Sequence, residues 1–212
     1  MKKNFMLFVL LIYVAIGTAQ EIYLETGKTL STFKYKTSQG QGLDNLQATS
    51  QNFITVGYRN QFLMKNLNAS IGVAFAGIGA IGSDDTVDNF MKWDMNYLEF
   101  NVGLDYNLYK IKRTTIYLKV NTSAGFLIQG TQTLNNKVIN LKKTDDFSKT
   151  VFGYKFGLGV LHPISKKLSF YVQYLHGNSL KLKSSSGSTL SQEELNFVSD
   201  NISLGLFVNI SK

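Results

Sequence analysis

Few residues in this chain have side chains suited to chemistry. His162 and His176 are its two histidines, and it has no cysteine. Ser179 follows His176 at close range, and Glu193 and Glu194 stand further along. A serine nucleophile, a histidine base and an orienting carboxylate are the parts of an acyl-transfer site. On a wall facing lipid, such a group would suit acyl hydrolysis. His162 stands beside the single proline, Pro163, and reads as a solvated turn residue. The pairs Asp84-Asp85 and Asp145-Asp146 lie in polar stretches and read as solvated loops rather than acid–base pairs or a calcium site. The chain shows no phosphate-cradling loop, zinc spacing or haem motif, so no catalytic, cofactor or metal residue is assigned. A second set is more telling. Arg59, Glu99, Asp105, Lys119 and Lys155 each stand on the polar side of a stretch in which polar and apolar residues alternate.

The elements that must position these residues are strands. From Leu98 to Leu108 every even residue is apolar and every odd one is Gly, Asn or acidic. Period two gives one oily face and one wet face. Strands of soluble proteins usually run about 5–6 residues. This stretch has the roughly 9–11 residues that a tilted strand needs to cross a bilayer. The pattern recurs and predicts eight strands, near 22–36, 53–64, 67–81, 93–108, 115–129, 150–161, 168–178 and 199–210. Gly27 marks an expected bulge or kink in the first. The connections alternate long, short, long, short, long, short, long. The short ones carry Lys65, Lys110, Lys112, Arg113, Lys166 and Lys167, placed to meet anionic head groups.

Composition narrows the class. The net charge is +8, falling to +6 without Lys2 and Lys3, but the lysines are scattered and do not form a nucleic-acid patch. A mean hydropathy of -0.04 argues against a helical membrane protein and suits a barrel that is apolar outside and polar inside. Residues 1–19 read as a signal peptide. Lys2 and Lys3 are followed by an apolar run over 5–16 that is too short to span as a helix, and Gly17-Thr18-Ala19 precedes the cleavage point. Residues 20–212 then form one domain, an all-β, eight-stranded antiparallel up-and-down transmembrane β-barrel with short periplasmic turns and longer extracellular loops.

The wet face decides in from out. A soluble ligand-binding barrel of lipocalin type also has eight strands, with its apolar face inside. Here the wet face holds Gly and Asn with few charges, a poor exterior for water and a good filling for a narrow lumen. Arg59, Lys119 and Lys155 are expected to meet Glu99 and Asp105 inside in an ion-pair network, because buried charge is tolerated when paired. Aromatics near the strand ends predict interfacial girdles, with Trp93 and Tyr97 at one rim and Tyr106, Tyr109, Tyr117 and Phe170 at the other.

The final strand reads Ser203-x-Gly205-x-x-Val208-x-Ile210 and resembles the C-terminal β-signal of outer-membrane proteins, with Ile210 in place of the usual aromatic and two residues after it. With the Ala19-Gln20 cleavage point, the Tyr/Asn/Gly-rich strands and the Lys-rich turns, the chain resembles the small outer-membrane barrels of Bacteroidota, loosely the OmpA/OmpX-like and PorT-like barrels. The resemblance implies residence in the bacterial outer membrane. It also implies insertion by the barrel-assembly machinery; outer-membrane lipid and lipopolysaccharide are the expected partners, and a larger outer-membrane complex is a partner under one of the roles below. Asp85-Thr86-Val87 resembles the short O-glycosylation motif of the same group, with Thr86 as acceptor. Some barrels of this size modify lipid A, but His176-Gly-Asn-Ser179 departs from their pattern, in which Ser follows two residues after His. The expected function is a structural or adhesion element, or an accessory subunit, without enzymatic activity. The alternatives are a narrow channel for ions or small solutes, a lipid A acyl hydrolase, and a soluble secreted ligand-binding barrel.

Overall fold

The computed structural model describes residues 20–36, 45–84, 89–143, 150–180, 182–183 and 194–210. The expected signal peptide and Thr86 lie outside them. Eight long strands form the wall: β1 (Gln20–Lys36), β2 (Gln47–Gln61), β3 (Leu67–Asp84), β4 (Asn89–Ile111), β5 (Thr114–Leu134), β7 (Val151–Pro163), β8 (Leu168–Ser179) and β10 (Glu194–Asn209). Two short strands, β6 (Lys137–Asn140) and β9 (Leu182–Lys183), pair with the outer ends of β5 and β10. Each long strand is antiparallel to the next, and β10 pairs with β1 from Glu21↔Asn209 to Lys36↔Glu194, which closes the ring. This is the predicted eight-stranded barrel.

The alternation read from the sequence sorts the side chains. Val102, Leu104, Val120, Phe156, Leu158 and Leu204 point out and are exposed, whereas Glu99, Asp105, Lys119 and Ser203 point in and are buried. Following paired residues from Ile22 through Tyr58, Ile71, Val102, Thr122, Tyr154, Asn178 and Val198 returns to β1 at Thr32, ten residues further along. With a rise of about 3.3 Å per residue and about 4.8 Å between strands, that stagger tilts the strands by about 40°. Each residue then climbs about 2.5 Å along the axis, and each step to the next strand about 3 Å. On this scale the outward apolar band, from Leu108 up to Phe126, is about 27 Å tall, close to the roughly 25 Å of outer-membrane barrels.

Several local expectations need correction. Gly27 is no bulge: β1 stays in register with both neighbours through it. The irregularities lie between Ala48 and Phe53 of β2, and in the β4–β5 ladder next to Asn96/Tyr97 and Asn107/Tyr109. Beside the β2 irregularity, Ser31 reaches across from β1. Its Oγ accepts from Gly79 N at 2.8 Å and donates to Gly79 O at 3.0 Å, bridging β3 where β2 has left it. In β5 the pairing runs from Tyr97↔Leu127 to Asn96↔Gln129, so Ile128 is the extra residue and Gln129 turns outward, against the expectation that it faces the lumen. The aromatic girdle is partial. Tyr106 and Tyr109 are exposed, but Trp93, Tyr97 and Tyr117 share the parity of Glu99 and Asp105 and are buried inside. His162 lies within β7, where its Nδ1 is 3.0 Å from Thr114 Oγ1. The third long connection begins as a hairpin of β5 and β6, turned at Asn135 and Asn136, both at positive φ.

Glycine has a specific task near the short-turn end. Tyr23, Tyr117 and Tyr171 point inward, and each lies across from a glycine on the next strand: Gly57, Gly159 and Gly205. A Cβ at Gly205 would fall 2.6 Å from Tyr171 Cε1, so the ring occupies the room the glycine leaves. Gly205→Ala is expected to destabilise the barrel by about 1–3 kcal/mol through overpacking. Urea unfolding in detergent, followed by the fluorescence of Trp93, the single tryptophan, checks this.

Candidate functional site

The lumen is filled in layers. Nearest the short turns, Tyr23, Tyr171 and Phe207 pack together, with Tyr171 and Phe207 stacked at 4.4 Å between centroids. Arg59 lies over the Phe207 ring at 4.6 Å. Its Nη1 is 2.7 Å from Glu21 Oε2 and its Nε 2.8 Å from Asp105 Oδ2. Lys119 Nζ completes the group, 3.0 Å from Asp105 Oδ1. Asp105 is 0% exposed, so one fully buried carboxylate is held between two cations. β2, β4 and β5 deliver these residues because each occupies an inward position of its strand at nearly the same height.

The next layer up is hydrogen-bonded. Glu25 accepts from Tyr171 OH at 3.0 Å and from Gln173 Nε2 at 2.8 Å, and Tyr117 OH donates to Gln173 Oε1 at 2.9 Å. Asn121 Nδ2 donates to Asn101 Oδ1 at 3.0 Å, and Thr29 Oγ1 to Asn201 Oδ1 at 2.8 Å. Lys155 and Glu99 form a separate pair at 3.0 Å. Two cavities of about 30 Å³ each border this pair, enough for a water or two. Above them an apolar cluster of Phe33, Trp93, Met95, Tyr97, Leu127 and Phe197 fills the lumen towards the long loops.

The five charges singled out in the sequence therefore fall into two groups, Arg59–Asp105–Lys119 and Lys155–Glu99. Glu21 and Glu25 were missed. Both have inward parity beside outward Ile22 and Leu24, and that was the available signal.

On the outside, β8 and β10 bring together Tyr174, His176, Asn178 and Asp200. Asp200 Oδ1 receives Tyr174 OH at 2.6 Å and lies 2.8 Å from His176 Nδ1. Asn178 Nδ2 is 3.2 Å from His176 Nε2, and the Phe156 ring meets the imidazole edge-on at 5.8 Å. Ser179, the nucleophile the sequence offered, points to the opposite side of the wall. It is buried, and its Oγ accepts from Phe197 N at 2.8 Å. His176 and Ser179 cannot work as a pair. Glu193 and the side chain of Glu194 lie outside the described residues. Among those described, no three His, Asp or Glu side chains converge as metal ligands. In the last strand, Ser203 and Gly205 face the lumen, Val208 and Ile210 face out, and Ile210 N donates to Gln20 O at 2.9 Å.

A closed ring with an apolar outside and an ion-paired, plugged inside defines an integral transmembrane β-barrel. The chain belongs to the outer membrane protein β-barrel domain family, whose profile matches residues 6–208. That places it in the bacterial outer membrane. No curated protein matches the sequence. Among solved structures, the outer membrane protein AlkL is similar with a TM-score of 0.51 at 10% identity, covering 92% of this chain and 93% of AlkL. OprG of Pseudomonas aeruginosa is similar with a TM-score of 0.47 at 12% identity, covering 91% and 97%. Neisserial surface protein A is similar with a TM-score of 0.46 at 12% identity, covering 89% and 97%.

Proposed function

We propose that this protein is a non-conducting, non-enzymatic outer-membrane barrel. It serves as a structural or adhesion element, or as an accessory subunit of a larger outer-membrane complex, and works through its long loops and outer wall. The observation that carries this reading is the filled lumen. Aromatic and apolar layers lie at both ends, and the charges between them are already paired. A solute passing through would have to displace Tyr97 and Phe197 at one end and Tyr171 and Phe207 at the other. Purified barrel in planar bilayers is expected to leave the membrane at baseline conductance. Stable single-channel steps that change with Glu99→Gln would overturn the reading in favour of a channel.

The inward orientation of Ser179 weighs against a lipid A acyl hydrolase. Mass spectrometry of lipid A is expected to show the same acyl pattern with and without the protein, and with His176→Ala. Loss of one acyl chain that depends on His176 would reverse this.

Export by the signal peptide at residues 1–19, kinship with the Bacteroidota barrels, O-glycosylation at Thr86, contact with lipopolysaccharide, and recognition of Ser203, Gly205, Val208 and Ile210 by the assembly machinery are parts of the same proposal. The last draws support from the placement of Val208 and Ile210 on the outer face of a seam strand, within reach of another protein. Ile210→Asp is expected to lower the amount recovered in outer membranes by several-fold, with the shortfall in the periplasm.

A further inference from the structure

The apolar band is not continuous around the barrel. On the wall made by β3, β4, β5 and β7, exposed apolar side chains continue up to Phe126 and Phe152. On the wall made by β8, β10, β1 and β2 they are interrupted by His176, Asp200, Lys28 and Asn52, with Leu30 and Leu180 exposed above them. From the strand stagger these four lie about 14–18 Å above Ile22, and Phe126 and Phe152 about 21–23 Å above it. At the depth of the polar four, the opposite wall presents Phe75, Phe100 and Tyr154. Among the described residues, Lys28 and Asp200 are the outward-facing Lys, Arg, Asp and Glu residues between the levels of Ile22 and Phe126. They stand on the two strands of the closing seam, where Lys28 pairs with Ile202 and Leu30 with Asp200.

This arrangement is self-complementary. A two-fold axis along the membrane normal keeps every residue at its own depth and brings one surface against itself. Passing between β1 and β10, it sets Lys28 of one copy against Asp200 of the other, and Asn52 against His176. The signs are opposite and the depths agree to within about 2 Å for the charged pair. Asp200 has an acceptor to spare, because Tyr174 and His176 both use Oδ1 and leave Oδ2 open among the described residues. We infer that the barrel forms a symmetric dimer in the outer membrane through this wall, held by reciprocal Lys28–Asp200 pairs. The partner that the surface fits is a second copy of this chain. Removing the four polar groups from lipid supplies the drive, since charge on the lipid face is unfavourable and grows more so towards the midplane. The inference rests on the barrel and its depth in the membrane, not on the role proposed for the loops.

The chain has no cysteine, so introduced thiols report alone. Two differently tagged copies, one with Lys28→Cys and one with Asp200→Cys, are coexpressed, and isolated outer membranes are oxidised. A disulfide-linked species carrying both tags, at twice the monomer mass, is expected. Phe100→Cys at matching depth on the far wall should give none. Energy transfer between labelled barrels in vesicles of outer-membrane lipid should fall about tenfold in apparent affinity with Lys28→Asp or Asp200→Lys alone, and recover when both are combined. Heat-modifiable gel mobility establishes that each variant is a closed barrel. Folded barrels that crosslink no better than Phe100→Cys, a combined variant that does not recover, or a thiol adduct with an envelope protein of another mass would each overturn the dimer. The last would assign the same wall to a different subunit.

Discussion

Asp105→Asn is expected to lower the unfolding free energy of the barrel by about 3–5 kcal/mol, the range for breaking a buried charge pair from one side. Asp105 is fully buried, and both its oxygens are taken, one by Arg59 and one by Lys119. Without its charge, Arg59 keeps Glu21, while Lys119 keeps a ring contact with Tyr23 and no carboxylate within salt-bridge range among the described residues. Two cations then face each other across a lumen filled by packed side chains. Desolvation and repulsion act in the same direction. The paired variant Asp105→Asn/Lys119→Met removes the stranded charge and is expected to recover a good part of the loss, because replacing both partners costs less than orphaning one. Urea titrations of all three in detergent, monitored at Trp93, give the comparison. A loss below about 1 kcal/mol for Asp105→Asn, the scale of exposed pairs, would mean that water reaches this layer and screens it.

Val102→Arg is the second large effect, and it acts from outside. Val102 is 59% exposed, and by strand stagger it sits near the middle of the apolar band. A midplane arginine on the lipid face costs about 2–4 kcal/mol, and one near the interface about 0–1. Tyr109→Arg, at the short-turn rim and 66% exposed, is the matched control. Unfolding from lipid vesicles is expected to separate the two by at least about 2 kcal/mol. A barrel surrounded by water would tolerate both changes equally, so the gap between them reads which solvent the outer face meets.

The fold was legible because the apolar faces are long and clean. In Leu98 to Leu108 no residue breaks parity, and a one-residue slip would put Glu99 and Asp105 into lipid. The interior pairs were legible as a set but not as pairs. Glu21–Arg59 and Asp105–Lys119 stand directly opposite on adjacent strands, so their pairing needs the register of β1 with β2 and of β4 with β5. Arg59–Asp105 and Lys155–Glu99 reach across an intervening strand, so they also depend on how successive strands are staggered. The run Phe126-Leu127-Ile128 hid the extra residue of β5, since three apolar neighbours carry no alternation to count. Trp93 and Tyr97 misled through residue type: aromatics near a rim suggest a girdle, but their odd parity already pointed inward. The outer face of β1 is the least apolar of the wall, because Thr26, Lys28, Thr32 and Lys34 share it with Ile22, Leu24 and Leu30, and Gly27 has no part in that.

The seam between β1 and β10 has a consequence for how the protein is made. Sixteen residue pairs join the first and last strands, and among the described residues Thr32 to Lys36 pair with the final strand alone. Until the end of the chain has been synthesised, β1 has no one to close with. Every earlier state has two long open edges and an unsealed polar lumen. Contacts of this sequence separation form slowly, because most of the chain must be gathered before they return any stability. The barrel cannot be built by adding hairpins one at a time to a finished edge. Its last step must bring the two ends together, and a chain that stops short of β10 has no stable ring to fall back on.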